Sequence, residues 1–164
     1  MKVPLIPLAR DSVPFPGVSL RIPLSDRPDI PALLTSLFSR HTKPKQNNPP
    51  ILVGCIPLCS PYLSNDGQWL LGDANKDRSR SMDEEPIDPA AAQEGDLFGY
   101  GTVAKVIGVQ GKAQSEPYLL VEGAKRFSIN KIIRHKPFLE AEVHLYDETG
   151  MLKSDYEWRF TVHF

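Results

Sequence analysis

The stretch Leu139-Glu-Ala-Glu-Val-His-Leu145 decides the fold class. Leu139, Ala141, Val143 and Leu145 alternate with Glu140, Glu142 and His144, the period-two pattern of a strand with one buried and one wet face. The same character recurs upstream. Residues 126–133 read as a strand and 118–122 as another. Residues 111–116 read as a hairpin turn, and 97–109, rich in Val and Ile, as the arm before it. Ile51-Leu-Val-Gly-Cys-Ile56 is a continuous apolar run, as expected of a strand buried on both faces.

The first third is written in proline. The chain has 164 residues and 16 prolines, twelve of them within residues 1–61. Proline lacks an N–H and breaks helix interiors, so a helical bundle is excluded there. Val3-Pro-Leu-Ile-Pro-Leu8 reads as an edge or terminal strand, Val13-Pro-Phe-Pro-Gly17 as a turn, and residues 18–24 as a strand again. One helix stands out. Asp29 is a suitable N-cap, Pro31 falls in the first turn, and Ile30, Leu33, Leu34, Leu37 and Phe38 share one face. Arg40 and His41 sit at its end, where the helix dipole favours positive charge. The order is strands, one helix, then a strand-rich half, which predicts a mainly β (α+β) domain with one embedded helix. Residues 73–94 are dominated by Asp, Glu, Ser, Arg and Ala and read as a mobile surface insertion.

Charge and motifs narrow the function. Nineteen basic and 20 acidic side chains leave a net charge of −1. Residues 1–50 carry seven basic and three acidic groups, residues 51–100 three and nine, residues 101–164 nine and eight. Nucleic-acid domains carry a strong basic excess, so nucleic acid is not an expected partner. No apolar run approaches the roughly 20 residues of a membrane span, and residues 1–8 read as structure rather than as a secretion signal. Gly99-Tyr-Gly-Thr-Val-Ala104 matches a dinucleotide fingerprint in letters only. That chemistry needs a helix after the glycines, whereas Val103, Val106, Ile107 and Val109 continue as a strand. Cys55 and Cys59 lack two further ligands at zinc spacing from His41, His135, His144 or His163 and read as buried thiols. The acidic cluster Asp83, Glu84, Glu85 and Asp88 lacks the interleaving and central glycine of a calcium loop. No Gly-x-Ser-x-Gly elbow or phosphate-cradling loop is present, so no catalytic residue, cofactor or metal is assigned.

Three motifs in order carry a family likeness. Pro4-Leu-Ile-Pro-Leu8 with Phe15-Pro-Gly17 and Arg21-Ile-Pro-Leu24, then Gly101-Thr-Val-Ala-Lys-Val106, then Val121-Glu-Gly-Ala-Lys-Arg-Phe127 resemble the N-terminal domain of Lon, the ATP-dependent serine protease. The opening Pro16-Gly-Val-Ser-Leu-Arg-Ile-Pro23, followed by Arg27-Pro-Asp-Ile30, looks most like the peroxisomal branch. The likeness runs from Val3 to Tyr146, which implies a domain over residues 1–146 and a tail over 147–164. It implies a twisted six-stranded pseudo-barrel with a helix, of the kind shared with pseudouridine-synthase-associated (PUA-like) domains. It implies a noncatalytic role in protein quality control, gathering unfolded or damaged substrates and helping to assemble a hexamer, in the peroxisomal matrix, with the cytoplasm or mitochondrial matrix as alternatives. ATP, magnesium and the catalytic serine–lysine pair would belong to other domains. Two further roles stay open on the same fold: an adaptor recruiting clients to ubiquitin ligation, and RNA binding, which the near-zero charge disfavours.

A substrate gatherer needs exposed apolar surface. Phe15, Val18, Leu20 and Tyr62 are the candidates. Gly17, Gly101 and Gly123 read as backbone-geometry residues. In the tail, Tyr156, Trp158, Phe160, Val162 and Phe164 alternate with Asp155, Glu157, Arg159, Thr161 and His163. That pattern predicts a strand that pairs with the domain's own sheet or docks on another copy. The last residues carry no Ser-Lys-Leu-type peroxisomal address.

Overall fold

The computed structural model describes residues 1–9, 12–40, 49–59 and 87–146. Six strands and one α-helix make up the architecture: β1 (Lys2–Pro7), β2 (Ser19–Pro23), α1 (Asp29–Arg40), β3 (Leu52–Ile56), β4 (Tyr100–Gln110), β5 (Tyr118–Arg134) and β6 (Glu140–Leu145). The strand order is β2-β5-β4-β3-β1-β6, and β6 pairs back onto β5. Five strands thus close into a twisted ring, with β2 appended to β5. The mainly β fold with one helix is the one the sequence predicts.

Closure produces two cores on the two faces of one sheet. Val53 and Cys55 of β3 face the helix, packing with Ile30, Leu33 and Leu34 of α1 and with Ile6, Leu8, Ile22, Leu119 and Val121. On the other face, Ile56 joins Val3, Leu5, Val103, Phe127, Ala141 and Val143 around the barrel axis. Alternation along each strand supplies both faces. β3, with apolar residues on either side, is buried as its unbroken run predicts. α1 buries Ile30, Leu33 and Leu34, while Phe38 stays 49% exposed. Phe38 lies about 80° around the helix from Ile30, outside the stripe that meets the sheet.

β1, read as an edge or terminal strand, is the first strand of the chain but not a sheet edge. It lies between β3 and β6, and its prolines survive there because it changes partner midway. Lys2, Val3 and Pro4 pair with β6, whereas Leu5, Ile6 and Pro7 pair with β3. Val143 N–H donates to Met1 O and Leu5 N–H to Leu139 O, so odd-numbered residues of β1 face β6 and even-numbered ones face β3. The missing N–H of Pro4 therefore points toward β3 before that ladder begins. That of Pro7 points toward β6 after its ladder has ended.

The expected pair of strands at 118–122 and 126–133 is one strand, β5, bent by bulges. Val103 lies opposite Lys125 and Ala104 opposite Gly123, which leaves Ala124 as an extra residue. Ile107 in β4, and Asn130 and Ile133 against β6, are extra in the same way. Each bulge breaks the alternation that a sequence reading follows and adds twist to the sheet, which helps it close. The described end of the insertion, residues 87–94, holds a 3-10 turn (Pro89–Ala91) capped by the Asp88 side chain, and a second turn (Glu94–Asp96) follows. Ile87 and Ala92 pack against the barrel core. Residues 73–86 of the insertion lie outside the described residues.

Candidate functional site

The loop entering β2 exposes apolar side chains on a pinned backbone. Thr102 Oγ1 donates to Pro14 O over 3.0 Å, buried within β4. Gly17, at φ +77°, turns its N–H onto Gly123 O at 2.8 Å, and Gly123 N–H returns a bond to Val18 O at 3.0 Å. Val18 N–H closes the turn on Phe15 O. Gly123 permits this approach, because a Cβ there would collide with the Phe15 carbonyl. Gly101 likewise clears Phe127: a Cβ would stand 2.5 Å from Cys55 O and 2.6 Å from the Phe127 ring. Gly17, Gly101 and Gly123 are thus the backbone-geometry residues the sequence suggests.

On this frame Val13, Phe15 and Val18 are 54, 49 and 53% exposed. Fully burying such a side chain is worth about 1.5–3 kcal/mol, so each leaves roughly half of that unrealised in the isolated domain. The structure brings Phe15 and Val18 together in one turn. It sets Leu20 apart: this side chain is half-buried in β2 against the helix-side core. Tyr62 and residues 155–164 lie outside the described residues. Val13 extends the ridge, and its place in Val-Pro-Phe-Pro-Gly was the available signal.

Two further exposed features escape sequence reasoning. Ile107, a bulge residue, and Val109 of β4 are 52 and 54% exposed. An aromatic row, Phe98–Tyr100–Tyr146–His144, has ring centroids 6.0, 6.4 and 5.4 Å apart in turn. Tyr146 Oη bonds Ser128 Oγ at 3.3 Å. The row joins the start of β4 to the end of β6, residues far apart in the chain.

Among the described residues, Arg27 is the buried charge. Its Nε and Nη2 donate to the two Asp29 carboxylate oxygens at 2.9 and 2.8 Å, and its Nη1 donates to Pro7 O at 2.8 Å. Pro7 O faces the side that β6 has vacated, so the guanidinium fills a gap in the ladder. Asp29, expected as an N-cap, is instead the first residue of α1 with its carboxylate committed to Arg27. Burial pushes the Cys55 thiol up to about 12, against the opposing pull of the Arg27 charge. Cys55 is thus a protonated core residue and a poor nucleophile. The Cys59 thiol bonds Leu97 O at 3.1 Å. Among the described residues, no group of three or more His, Cys, Asp and Glu side chains could hold a metal ion, and the glycines of residues 99–104 open a strand, not a helix.

The family model for the substrate-binding domain of ATP-dependent protease La (Lon) matches residues 2–157, past Tyr146 where the sequence likeness stops. The Lon protease of Anaeromyxobacter dehalogenans strain 2CP-C is 28% identical over 136 residues, which is 79% of this chain but 15% of that protein. The chain therefore spans under one sixth of that relative. In fold it is similar to the Lon N-terminal domain protein of Xanthomonas campestris, with a TM-score of 0.52 and 15% identity, covering 90% of this chain and 60% of the other. The N-terminal domain of Mycobacterium avium complex Lon protease gives a TM-score of 0.51 and 16% identity, covering 99% and 74%. With its ring of strands, its single helix and a family match across nearly its whole length, this chain belongs to the Lon substrate-binding domain family.

Proposed function

We propose that this chain is the substrate-recognition and assembly domain of a Lon-type ATP-dependent protease, holding unfolded or damaged polypeptide for catalytic domains that lie outside it. The observation that carries this reading is the pinned ridge of Val13, Phe15 and Val18. Unfolded chains differ from folded ones chiefly in the apolar side chains they expose. A rigid apolar ridge meets such side chains without first having to order its own backbone. This chain contributes binding and takes no cofactor. ATP, magnesium and the serine–lysine pair act in the other domains, and nucleic acid and membranes are not its partners.

Titration with one small protein in a permanently unfolded form and in its native form tests the reading. The unfolded form binds at least about tenfold tighter, ~1.4 kcal/mol, and Phe15→Asp with Val18→Asp removes the difference. Equal affinity for the two forms rejects it. Placement in the peroxisomal branch and matrix rests on the residues 16–23 opening with Arg27-Pro-Asp-Ile30. Recovery of the full-length protein in cytosolic or mitochondrial fractions overturns that placement.

A further inference from the structure

β2 (Ser19–Pro23) is the one described strand with a partner on a single side. Gly123 N–H donates to Val18 O, and Leu24 N–H to Pro117 O. In this antiparallel ladder Val18, Leu20, Ile22 and Leu24 therefore turn their backbone groups toward β5. Ser19, Arg21 and Pro23 turn theirs away, leaving N–H groups at Ser19 and Arg21 and carbonyls at all three along an edge that no other described strand covers. Such an edge is a template for another strand. Its two faces differ in chemistry. Leu20 and Leu24, with Leu37 of α1, are only partly buried at the margin of the helix-side core. On the opposite face the Arg21 guanidinium lies 5.2 Å from the centre of the Tyr118 ring.

The route of the chain brings an occupant to this edge. β6 and β2 lie end to end along the same side of β5, both antiparallel to it, β6 against residues 127–134 and β2 against 118–122. Tyr146 N–H still bonds Arg126 O, and the next place along β5, Gly123 O, is taken by Gly17 N–H. Tyr146, the last described residue, therefore stands on β5 beside the start of β2. Residues 147–154 can then span up to about 26 Å, more than the length of β2. Residues 155–164 follow with Tyr156, Trp158, Phe160, Val162 and Phe164 on one face and Asp155, Glu157, Arg159, Thr161 and His163 on the other. That is the two-faced pattern of β2 itself, with two acidic groups on the face that would meet Arg21.

We propose that residues 155–164 add to the open edge of β2 as an outer strand within the same molecule. Their apolar face covers Leu20, Leu24 and Leu37, and Asp155 and Glu157 lie toward Arg21.

Residue-resolved amide exchange on the full 164-residue chain tests this. The Ser19 and Arg21 amides exchange at least about tenfold more slowly in the native chain than in Phe160→Pro, which removes a tail donor and breaks the strand. Trp158→Asp, acting through the side chain alone, lowers the same two protections. The Ile22 amide, turned toward β5, stays slow in all three proteins and reports an intact sheet. Ser19 and Arg21 exchanging equally fast in the native chain and both variants overturns the proposal. Protection that disappears on dilution, together with a dimer in sedimentation, places the tail on a second copy and overturns it too.

Discussion

Gly123 has no room for a side chain, and the obstacle is backbone rather than a movable group. Gly123→Ala drives its Cβ into the Phe15 carbonyl, so either the ridge lifts or β5 shifts. Overpacking of this kind costs about 1–3 kcal/mol. We expect a lower melting temperature together with weakened binding of unfolded protein, because the Gly17 and Val18 bonds to Gly123 are what hold the ridge. An unchanged affinity would show that ridge geometry does not matter. Cys55 gives a second test at the same scale. Its thiol is raised from 9.0 to about 12 by burial. A group whose folded value is raised contributes its full stability below the unfolded value and loses it as pH climbs toward the folded one. Between about pH 9 and 12 this thiol should therefore destabilise the native state by about 1 kcal/mol per pH unit. Denaturant unfolding at pH 8, 10 and 11 checks this: Cys55→Ala should show a shallower alkaline decline than the native chain, and parallel declines would refute the assignment.

At the scale of elements, the bulges separate what the sequence discloses from what it hides. β6 and β3 are readable because their side chains keep one pattern from end to end, alternating in one and uniformly apolar in the other. α1 is readable from its apolar stripe. β5 is not, since Ala124 interrupts the alternation and divides one strand into two on paper. β1 misleads for another reason. Prolines imply an edge unless both neighbours are known, and the partner switch at Leu5 is a property of the closed ring rather than of Val3-Pro-Leu-Ile-Pro-Leu8. Of the proposed ridge, the exposure of Phe15 and Val18 is legible, because Val13-Pro-Phe-Pro-Gly17 reads as a turn. The half-burial of Leu20 is not legible, because the helix-side core it packs against is assembled from residues distant in the chain. Arg27 was invisible because its carbonyl partner lies twenty residues away. Deleting Ala124 makes the bulge argument testable. The deletion leaves Lys125 opposite Val103 and Phe127 opposite Gly101, so Phe127 keeps its place in the barrel core, but it removes the added twist that helps the sheet close. The deletion should lower the melting temperature while unfolding stays cooperative, and Ala124→Ser, which keeps the backbone count, should change stability by less than about 1 kcal/mol. An unchanged melting temperature for the deletion variant would show that the bulge is not needed for closure.

At the scale of the whole molecule, apolar and electrostatic recognition make opposite forecasts about salt. The chain has a net charge of −1, yet its first 50 residues are basic and its middle is acidic, so a charged ligand could in principle find a complementary region. Binding through charge weakens steeply as salt rises. A ligand that neutralises several fixed charges loses orders of magnitude in affinity over a fewfold change in concentration, because surface fields are screened within about 10 Å at 0.1 M. Binding through Val13, Phe15 and Val18 has no such term, and salts excluded from apolar surface strengthen burial slightly. Affinity for one unfolded protein, measured from about 0.05 to 0.5 M sodium chloride, should therefore change by less than about twofold, ~0.4 kcal/mol. The same series in sodium sulfate should drift toward tighter binding. A tenfold or greater loss in chloride would move the client site off the ridge and onto charged surface such as the outward side chains of β5, where Lys125, Arg126 and Lys131 are exposed.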